Sequence, residues 1–440
     1  HRILAGSGNI TLSVATNAGA AGTVVENFGV GSSVTIAGRS VSFTPTSALD
    51  SSETYHISYP SGAFTNTGGD VSYVGTAYTF GCKTLINQLW LWGHNAYGQL
   101  GINDRANRSS PVQVPGTWSA TKFRAGHFNS SAIKTDGTLW IWGNNENGEL
   151  GQNNKTDYSS PVQIPGTWSM VDLGYECSAG LKTDGTLWTW GRGDNGRTGL
   201  NIVTAVSSPT QIPGTTWANV QSDAYGMCAT KTNGTLWVWG SNNQGQLGLN
   251  QNVQAISSPT QIPGTTWSTT ADSYGAAFYA FYGIKTDGTL WGWGRGSIGG
   301  LGQNNEVNYS SPIQIPGTTW SKVKGGYYGW ATATKTDGTL WMMGQNNVGQ
   351  LGQNQPGSVD VSSPVQVPGT TWSNVGAGYH AAAAIKTDGT LWTWGNNEQG
   401  PLGQNNTTDY SSPVQIPGTD WHRVDGPLSN GGVFLATKQI

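Results

Sequence analysis

The chain is short of charge. Of its 440 residues only 10% are Asp, Glu, Lys or Arg, and the formal net charge is -3. No run of Lys or Arg occurs, whereas phosphate or anionic-membrane binding needs a clustered basic surface, so nucleic acid is excluded as the main partner. No stretch of 18 or more apolar residues is present, and no membrane insertion is expected. Cysteine is scarce too. Cys82, Cys177 and Cys228 make an odd number at unrelated spacings, from which no metal or redox motif follows, and they read as buried free thiols. The six His residues, His1, His56, His94, His127, His380 and His422, form no metal-spaced pair. A nucleophile elbow, a phosphate loop and an EF-hand loop are all missing. The expectation is therefore a protein with no catalytic residues, no metal and no cofactor, and not an enzyme. The start, His1-Arg2-Ile3-Leu4-Ala5, has neither an initiator Met nor a signal peptide and reads as a processed or truncated end.

What the chain has in excess is Gly, at 65 residues, and Trp, at 21. Both follow an internal repeat. The signature Leu-Trp-x-Trp-Gly has its first Trp at Trp90, Trp140, Trp188, Trp237, Trp291, Trp341 and Trp392, at spacings of 50, 48, 49, 54, 50 and 51, with Met343 replacing the second Trp in the sixth copy. A Gly-rich tetrapeptide such as Gly98-Gln99-Leu100-Gly101 follows each signature, then Ser-Ser-Pro, then Pro-Gly-Thr, then a third Trp (Trp118, Trp168, Trp217, Trp267, Trp320, Trp372, Trp421). The repeat accounts for 20 of the 21 Trp and 14 of the 19 Pro, leaving only Trp330 outside it.

Local physics assigns strands to each unit. Lys-Thr-Asp-Gly-Thr-Leu-Trp recurs at Asp136-Gly137, Asp184-Gly185, Asp287-Gly288, Asp337-Gly338 and Asp388-Gly389, with Asn233-Gly234 in one copy. Asp-Gly between apolar runs is a strong hairpin signal, read here as a type I′ turn with positive φ at both central residues. The segment Pro-Val-Gln-Ile-Pro, bounded by prolines, suits an edge strand. No helical period is visible. The last unit has Trp421 and Val424 but stops before a Leu-Trp-x-Trp-Gly, while the first has Leu89-Trp90-Leu91-Trp92-Gly93 without a preceding Trp-Ser-x-Val. The two halves complement each other, and the C-terminal and N-terminal strands should share one blade. An open solenoid would instead need polar caps. The reading is an all-β chain: a seven-bladed β-propeller over 81–440, closed by those strands, preceded by a small β-sandwich over 1–80.

These residues resemble the RCC1 repeat family, whose pattern of Asp-Gly, a strand ending Trp-Gly and then Asn-x-x-Gly-Gln-Leu-Gly is matched at Trp239-Gly240-Ser241-Asn242-Asn243-Gln244-Gly245-Gln246-Leu247-Gly248 and in the other copies. The resemblance implies a seven-bladed propeller, and the likeness of the copies to one another suggests a bacterial or phage-type version. In residues 1–80, Ser42-Phe43-Thr44-Pro45, Thr54-Tyr55-His56-Ile57 and Gly62-Ala63-Phe64 resemble the Ig-like modules of bacterial surface-layer proteins, which implies an extracellular, cell-surface or virion location.

Residues that are the same in every unit are most simply packing residues, and the Trp pairs are read so, ahead of a light-sensing or carbohydrate platform. The repeated Lys134, Lys182, Lys231, Lys285, Lys335 and Lys386 are read as solvated strand ends beside the hairpin Asp. Binding is expected where the units differ. The segment between Trp-Ser-x-Val and Ile-Lys-Thr varies most and is rich in aromatic residues, the usual anchors of an interface. His127, Tyr175, Tyr225, Tyr274, Phe278, Tyr279, Phe281, Tyr282, Tyr327, Tyr328, Trp330, Tyr379 and His380 are the candidate binding residues, expected at one mouth of the propeller; the alternative is that half of them line inner strands. A second variable set, Asn103-Asp104-Arg105, Asn201-Ile202-Val203, Asn305-Glu306-Val307 and Asn354-Gln355-Pro356, reads as outer loops. The functional expectation is a structural or binding scaffold displayed on an extracellular or virion surface, recognising a protein or glycan there or in an assembly, with self-association left open. The alternatives are a secreted binder or inhibitor, exchange-factor activity on a small GTPase as implied by the nuclear member of the resembled family, and a glycan-acting enzyme.

Overall fold

A computed structural model describes residues 3–16, 20–37, 40–47, 49, 53–65, 78–81, 86–251, 253–355, 359–427 and 433–440. The chain divides into two compact units, His1–Leu85 and Ile86–Ile440. Apart from one 3-10 turn at Asp194–Gly196, the regular structure of the described residues is β.

In the first unit a four-stranded antiparallel sheet runs in the order Ala21–Gly29, Asn9–Ala15, Thr54–Ser58, Tyr78–Gly81, and two short hairpin-like pairs accompany it. Alternation puts Ile10 and Leu12 of the second of these strands into a core with Phe28, Tyr55, Ala63 and Phe64. Cys82 lies outside the described residues, whereas Cys177 and Cys228 of the second unit are buried free thiols.

The second unit contains seven four-stranded antiparallel sheets among its described residues. Sheet I runs Trp118–Ala125, Asn129–Lys134, Leu139–Gly143, Tyr158–Ile164. Sheets II to VI repeat that order, with first strands Trp168–Leu173, Trp217–Ser222, Tyr274–Ala277, Trp320–Gly326 and Trp372–Ala377. Sheet VII draws two strands from each end of the repeat region, in the order Arg108–Val114, Asn87–Gly93, Val433–Gln439, Trp421–Asp425. Ala436 lies opposite Trp90 and Leu435 opposite Leu91, so the divided sequence unit is reunited by strand pairing. The Ser-Ser-Pro segments sit in the fourth strand, at a sheet edge, where a residue without an N–H breaks no ladder bond.

The hairpins differ from the type I′ expectation. Gly137 has φ 83°, but Asp136 does not share a positive φ. The Gly137 N–H donates to the Lys134 carbonyl at 3.0 Å and the Lys134 N–H to Thr138 at 2.9 Å, the pattern of a type I turn followed by a left-handed glycine. Asp136 is thereby free to use its carboxylate. Its Oδ1 accepts the Thr138 N–H at 2.9 Å and hydroxyl at 2.6 Å, and Thr138 Oγ1 accepts the Trp140 indole N–H at 2.9 Å. Asn233 supports the same relay to Thr235 and Trp237. Sheet VII has no hairpin there, and Gln88 Oε1 accepts the Trp90 indole at 3.2 Å instead.

The glycine tetrapeptide joins the third strand to the fourth and clamps each repeat onto the next. Two residues beyond it stands Asn103, Asn153, Asn201, Asn250, Asn304, Asn354 or Asn405, all at φ between 51° and 61°, a conformation Asn tolerates better than other side chains. That turn aims the Asn N–H at a serine carbonyl of the following repeat, from Asn103 to Ser159 at 2.8 Å through to Asn405 to Ser109 at 2.7 Å. Gly349, the first residue of one tetrapeptide, has φ 78°, and a Cβ there would lie 2.6 Å from the Ser411 side chain; only glycine lets the chains meet.

In five of the seven signatures the second Trp adds another clamp, while the buried Trp293 indole N–H has no partner among the described residues. Indole N–H groups of Trp142, Trp190, Trp239 and Trp394 donate to the carbonyls of Gln99, Glu149, Arg197 and Gln350 at 2.9, 2.7, 2.9 and 2.9 Å. Trp92 reaches Pro401 at 2.7 Å. Met343 has no donor, and the hydroxyl of buried Tyr282 supplies it, donating to the Gly300 carbonyl at 2.9 Å. Tyr282→Phe is expected to leave that carbonyl unpaired in a dry core at a cost of about 1–3 kcal/mol, read as a lowered Tm with an unchanged far-UV spectrum.

Glu149 occupies the tetrapeptide position held by Gln99, Gln246 and Gln350 and is buried like them. It accepts the Asn147 N–H at 2.7 Å, just as Gln99 accepts that of Tyr97 at 2.9 Å. Burial pushes its carboxyl up to about 8, with smaller pushes from Glu176 and Asp157, so at neutral pH it is a protonated stand-in for glutamine. Between the ordinary carboxyl range and pH 8 the folded chain keeps a proton that the unfolded chain has lost, so this group's contribution to stability falls as pH rises. Glu149→Gln should change Tm little near pH 4.5 and raise it progressively toward pH 8, as thermal denaturation across that range would show.

Candidate functional site

In sheets I to VI a short loop joins the first strand to the second. Those loops, 126–128, 174–176, 223–225, 278–279, 327–329 and 378–380, carry the variable aromatic residues. Their rings form a chain of contacts from sheet to sheet. Centroids lie 3.8 Å apart for His127 and Tyr175, 6.0 Å for Tyr175 and Tyr225, and 4.9 Å for Tyr225 and Tyr279. The chain continues from Phe278 to Tyr327 at 4.6 Å, from Tyr327 to Tyr379 at 5.2 Å and from Tyr328 to His380 at 5.2 Å. All nine of these predicted residues are half-buried, each showing part of its ring to solvent. The corresponding segment of sheet VII, 428–432, lies outside the described residues.

The other four predicted residues are corrected by their burial. Tyr274, Phe281, Tyr282 and Trp330 are all at most 1% exposed. Phe281 stacks on Trp293 at 6.2 Å, Tyr282 performs the clamp described above, and Trp330 donates from beneath to the Tyr379 carbonyl at 3.1 Å. These four are packing residues that support the mouth without facing it. Sequence reasoning passes over His94 and Tyr97, which follow the first signature and extend the ring chain through Phe128 at 6.1 and 4.7 Å. Their signal was departure from the repeat, just before the glycine tetrapeptide.

The mouth is held rigid by bonds between loops. The Phe278 N–H donates to Tyr327 at 2.9 Å, and the Tyr327 N–H to Gly378 at 3.2 Å. Buried Arg197 binds the carbonyls of Tyr175 and Ala224 at 3.1 and 3.3 Å and lies 4.5 Å beneath the Tyr225 ring. Tyr279 adopts φ 67° in a two-residue turn between Ala277 and Ala280, a strained conformation for a bulky side chain of the kind that collects at functional sites. Burial lowers His127 to about 3 and His380 to about 4, so both rings are neutral near pH 7. Burial raises the Tyr279 hydroxyl to about 12, aided by Tyr225. The mouth is thus a surface of neutral flat rings and phenol hydroxyls, bordered by the Glu176–Arg192 ion pair, built to cover apolar area and to exchange hydrogen bonds.

Below it the first strands surround an ionic hub that the sequence reading did not anticipate. Arg124 Nε meets Asp172 at 2.9 Å, Arg423 meets both oxygens of Asp272 at 2.7 and 2.8 Å, and Lys324 lies 3.7 Å from Asp272 and from Asp425. Burial opposes ionisation of Asp272, but Arg423 and Lys324 outweigh it and hold the carboxyl well below the usual range. Asp172 and Asp425 also accept the N–H groups of Ser222 and Ala125 at 2.6 and 3.1 Å. The side chains leave a cavity of only about 20 Å³ at this level, so the hub ties sheets together across the centre. Among the described residues no three His, Cys, Asp or Glu side chains converge as metal ligands.

At the opposite end the repeated lysines are not merely solvated. Lys134 Nζ lies 3.8 Å from the Trp140 ring and 5.5 Å from Trp118, and Lys182, Lys231, Lys285, Lys335 and Lys386 repeat the arrangement. Lys438 is a seventh, 4.4 Å from Trp421 and 5.3 Å from Trp90.

Comparison with known proteins agrees with this geometry. The model of the RCC1-like domain matches residues 88–432. Among solved structures, human WBSCR16 aligns over 80% of this chain and 98% of its own, with 17% identity and a TM-score of 0.69. Yeast RCC1 (Prp20), solved with Kap60 bound to it, aligns over 81% of this chain and 89% of its own, with 18% identity and a TM-score of 0.70. A search of curated protein sequences finds no match. The structural likenesses establish a β-propeller fold for the repeat unit, and the matched span, the recurring signature and the clamped sheets together place this chain in the RCC1-like domain family.

Proposed function

We propose that this protein is a non-enzymatic scaffold in which the seven sheets form the blades of a closed seven-bladed propeller and the aromatic mouth recognises a protein partner. The observation that carries the reading is the unbroken chain of half-exposed rings through the loops of six successive sheets. Preorganised aromatic clusters on a rigid frame are what interface hot spots require. Pairing of Val433–Gln439 with Asn87–Gly93, together with the bond from Thr437 Oγ1 to the Ala120 carbonyl at 2.7 Å, supports closure. The carboxylates of the hub are engaged in structural ion pairs, which favours binding over catalysis. Protein partners are also the precedent among relatives: yeast Prp20 was solved with Kap60, and its binding to Gsp1p and histones has been described. A glycan is the other ligand class such rings suit.

The location we propose is extracellular, on a cell surface or on a virion. It is supported by the low charge, the Gly, Asn, Thr and Ser richness and the resemblance of the first unit to Ig-like surface modules, in which case that unit anchors the chain and the propeller displays the mouth. The repeats' mutual likeness supports a bacterial or phage-type version. A second reading, nucleotide exchange on a small GTPase, rests on the likeness to yeast RCC1.

Two measurements separate these. Intact cells and purified particles treated with protease should lose the protein if it is displayed, and retention of the full-length chain only in the soluble cytoplasm would remove the display reading. A partner retained from surface or particle extracts should bind roughly tenfold or more weakly to Tyr225→Ala and Tyr379→Ala than to wild type, with Lys386→Met at the opposite end unchanged. Equal binding by all variants would remove the mouth from the interface, and accelerated nucleotide release from a small GTPase would favour the exchange reading.

A further inference from the structure

The rim between consecutive sheets carries a groove that recurs with the repeat. One of about 640 Å³ is lined by Trp217, Trp237, Lys231, Pro213 and Pro259, and one of about 320 Å³ by the equivalent Trp421, Trp90, Lys438, Pro417 and Pro111. At the larger groove two departures from the repeat coincide. The residue after the glycine tetrapeptide is Gln152, Gln303, Gln353 or Gln404 in four repeats, where its amide donates to a fourth-strand carbonyl at 3.1, 2.9, 3.1 and 3.3 Å and closes the groove with a polar wall. Here it is Leu200, followed by Ile202, which is 40% exposed. The hairpin aspartate is also missing. Lys134, Lys182, Lys285, Lys335 and Lys386 each have an Asp two residues on whose charge they feel, whereas Lys231 has Asn233.

Leu249 and Ile102 also replace the glutamine, but their grooves belong to Lys285 and Lys134, which keep Asp287 and Asp136. Lys438 lacks an aspartate but keeps Gln404. An apolar wall and a cation without its aspartate occur together only at Lys231. Its ammonium is fixed 4.4 Å from the Trp237 ring and 4.8 Å from Trp217; none of the repeated lysines makes an ion pair with a described carboxylate, but Lys231 alone of the six hairpin lysines also lacks the nearby Asp charge. A half-buried ammonium at the end of an apolar trough is complementary to a ligand with a carboxylate head and an apolar tail.

We propose that the groove formed by Leu200, Ile202, Trp217, Lys231 and Trp237 binds an apolar monocarboxylate, its head on Lys231 and its tail along Leu200 and Ile202. This site is at the opposite end from the aromatic mouth and does not depend on the function proposed for it.

Calorimetric titration of the full chain with decanoate, decanol and decyltrimethylammonium tests the assignment. Decanoate should bind one site, roughly tenfold more tightly than decanol, and the ammonium should bind most weakly. Lys231→Met should erase the preference for decanoate over decanol. Asn233→Asp should weaken decanoate and Leu200→Gln should weaken both decanoate and decanol. Both changes import residues that the chain already uses at equivalent positions, so loss of binding in them is not loss of fold. Lys438→Met should match wild type. No binding of decanoate at about 1 mM, or binding that neither Lys231→Met nor Asn233→Asp alters, would overturn the proposal.

Discussion

The main-chain N–H of an asparagine in left-handed conformation, bound to a serine carbonyl one repeat further on, is the contact on which the remaining geometry rests. It recurs at Asn103, Asn153, Asn201, Asn250, Asn304, Asn354 and Asn405, and it fixes the offset between one sheet and the next at the rim. In five repeats the indole N–H of the second Trp adds a further bond, to the tetrapeptide carbonyl of the preceding repeat. Two clamps leave neighbouring sheets little freedom to tilt. The composition follows from this. Glycine is needed where backbone meets backbone, Asn where φ is positive, and Trp where one side chain must both fill the inter-sheet space and donate.

A frame so constrained can carry loops without further investment in them. The aromatic loops are short, and those of sheets II to VI are bonded to a neighbouring loop or to Arg197 below. Few charges are needed because the structure uses them where distance across the centre must be bridged. Arg423 and Lys324 reach carboxylates on other sheets, Arg423 to Asp272 and Lys324 to Asp272 and Asp425. Such pairs, buried and hydrogen-bonded, are strongly destabilising to break even where they add little net stability, so they specify one arrangement of the sheets.

Much of this was legible in the sequence because a signal repeated seven times is hard to mistake. The hairpins, the edge strands bearing Pro161 or Pro413 and the sharing of one sheet by both chain ends all follow from period and turn chemistry. The orientation of single aromatic residues was not legible. Phe278 and Tyr279 occupy a turn and reach the mouth, while Phe281 and Tyr282, two and three residues later, are already within a strand and buried. An aromatic-rich insertion does not say where its turn falls. The lysine perches were hidden for another reason. Lys134 and Trp118 are cross-strand partners, and a residue that seems a solvated strand end becomes a cation over a ring once the strands pair. The hub offered the weakest signal, since each repeat contributes only one or two of its charges and no short segment contains the pattern.

The departures from the repeat are of two physical kinds, and the difference tells function from repair. Met343 removes an indole donor, and Tyr282 restores the bond from the other side. Glu149 replaces a glutamine, and burial keeps it protonated so that it acts as one. In each case the departure is answered by a second change, or by its own titration, and the local account closes. Other departures are left open. Tyr279 holds a left-handed turn while its ring stacks on Tyr225 at 4.9 Å. Lys231 keeps its charge after its aspartate has become Asn233, beside a wall where Leu200 has replaced the closing glutamine. Some departures are thus repaired within the chain and others, Lys231 among them, are not, and it is at an unrepaired one that we propose a bound molecule.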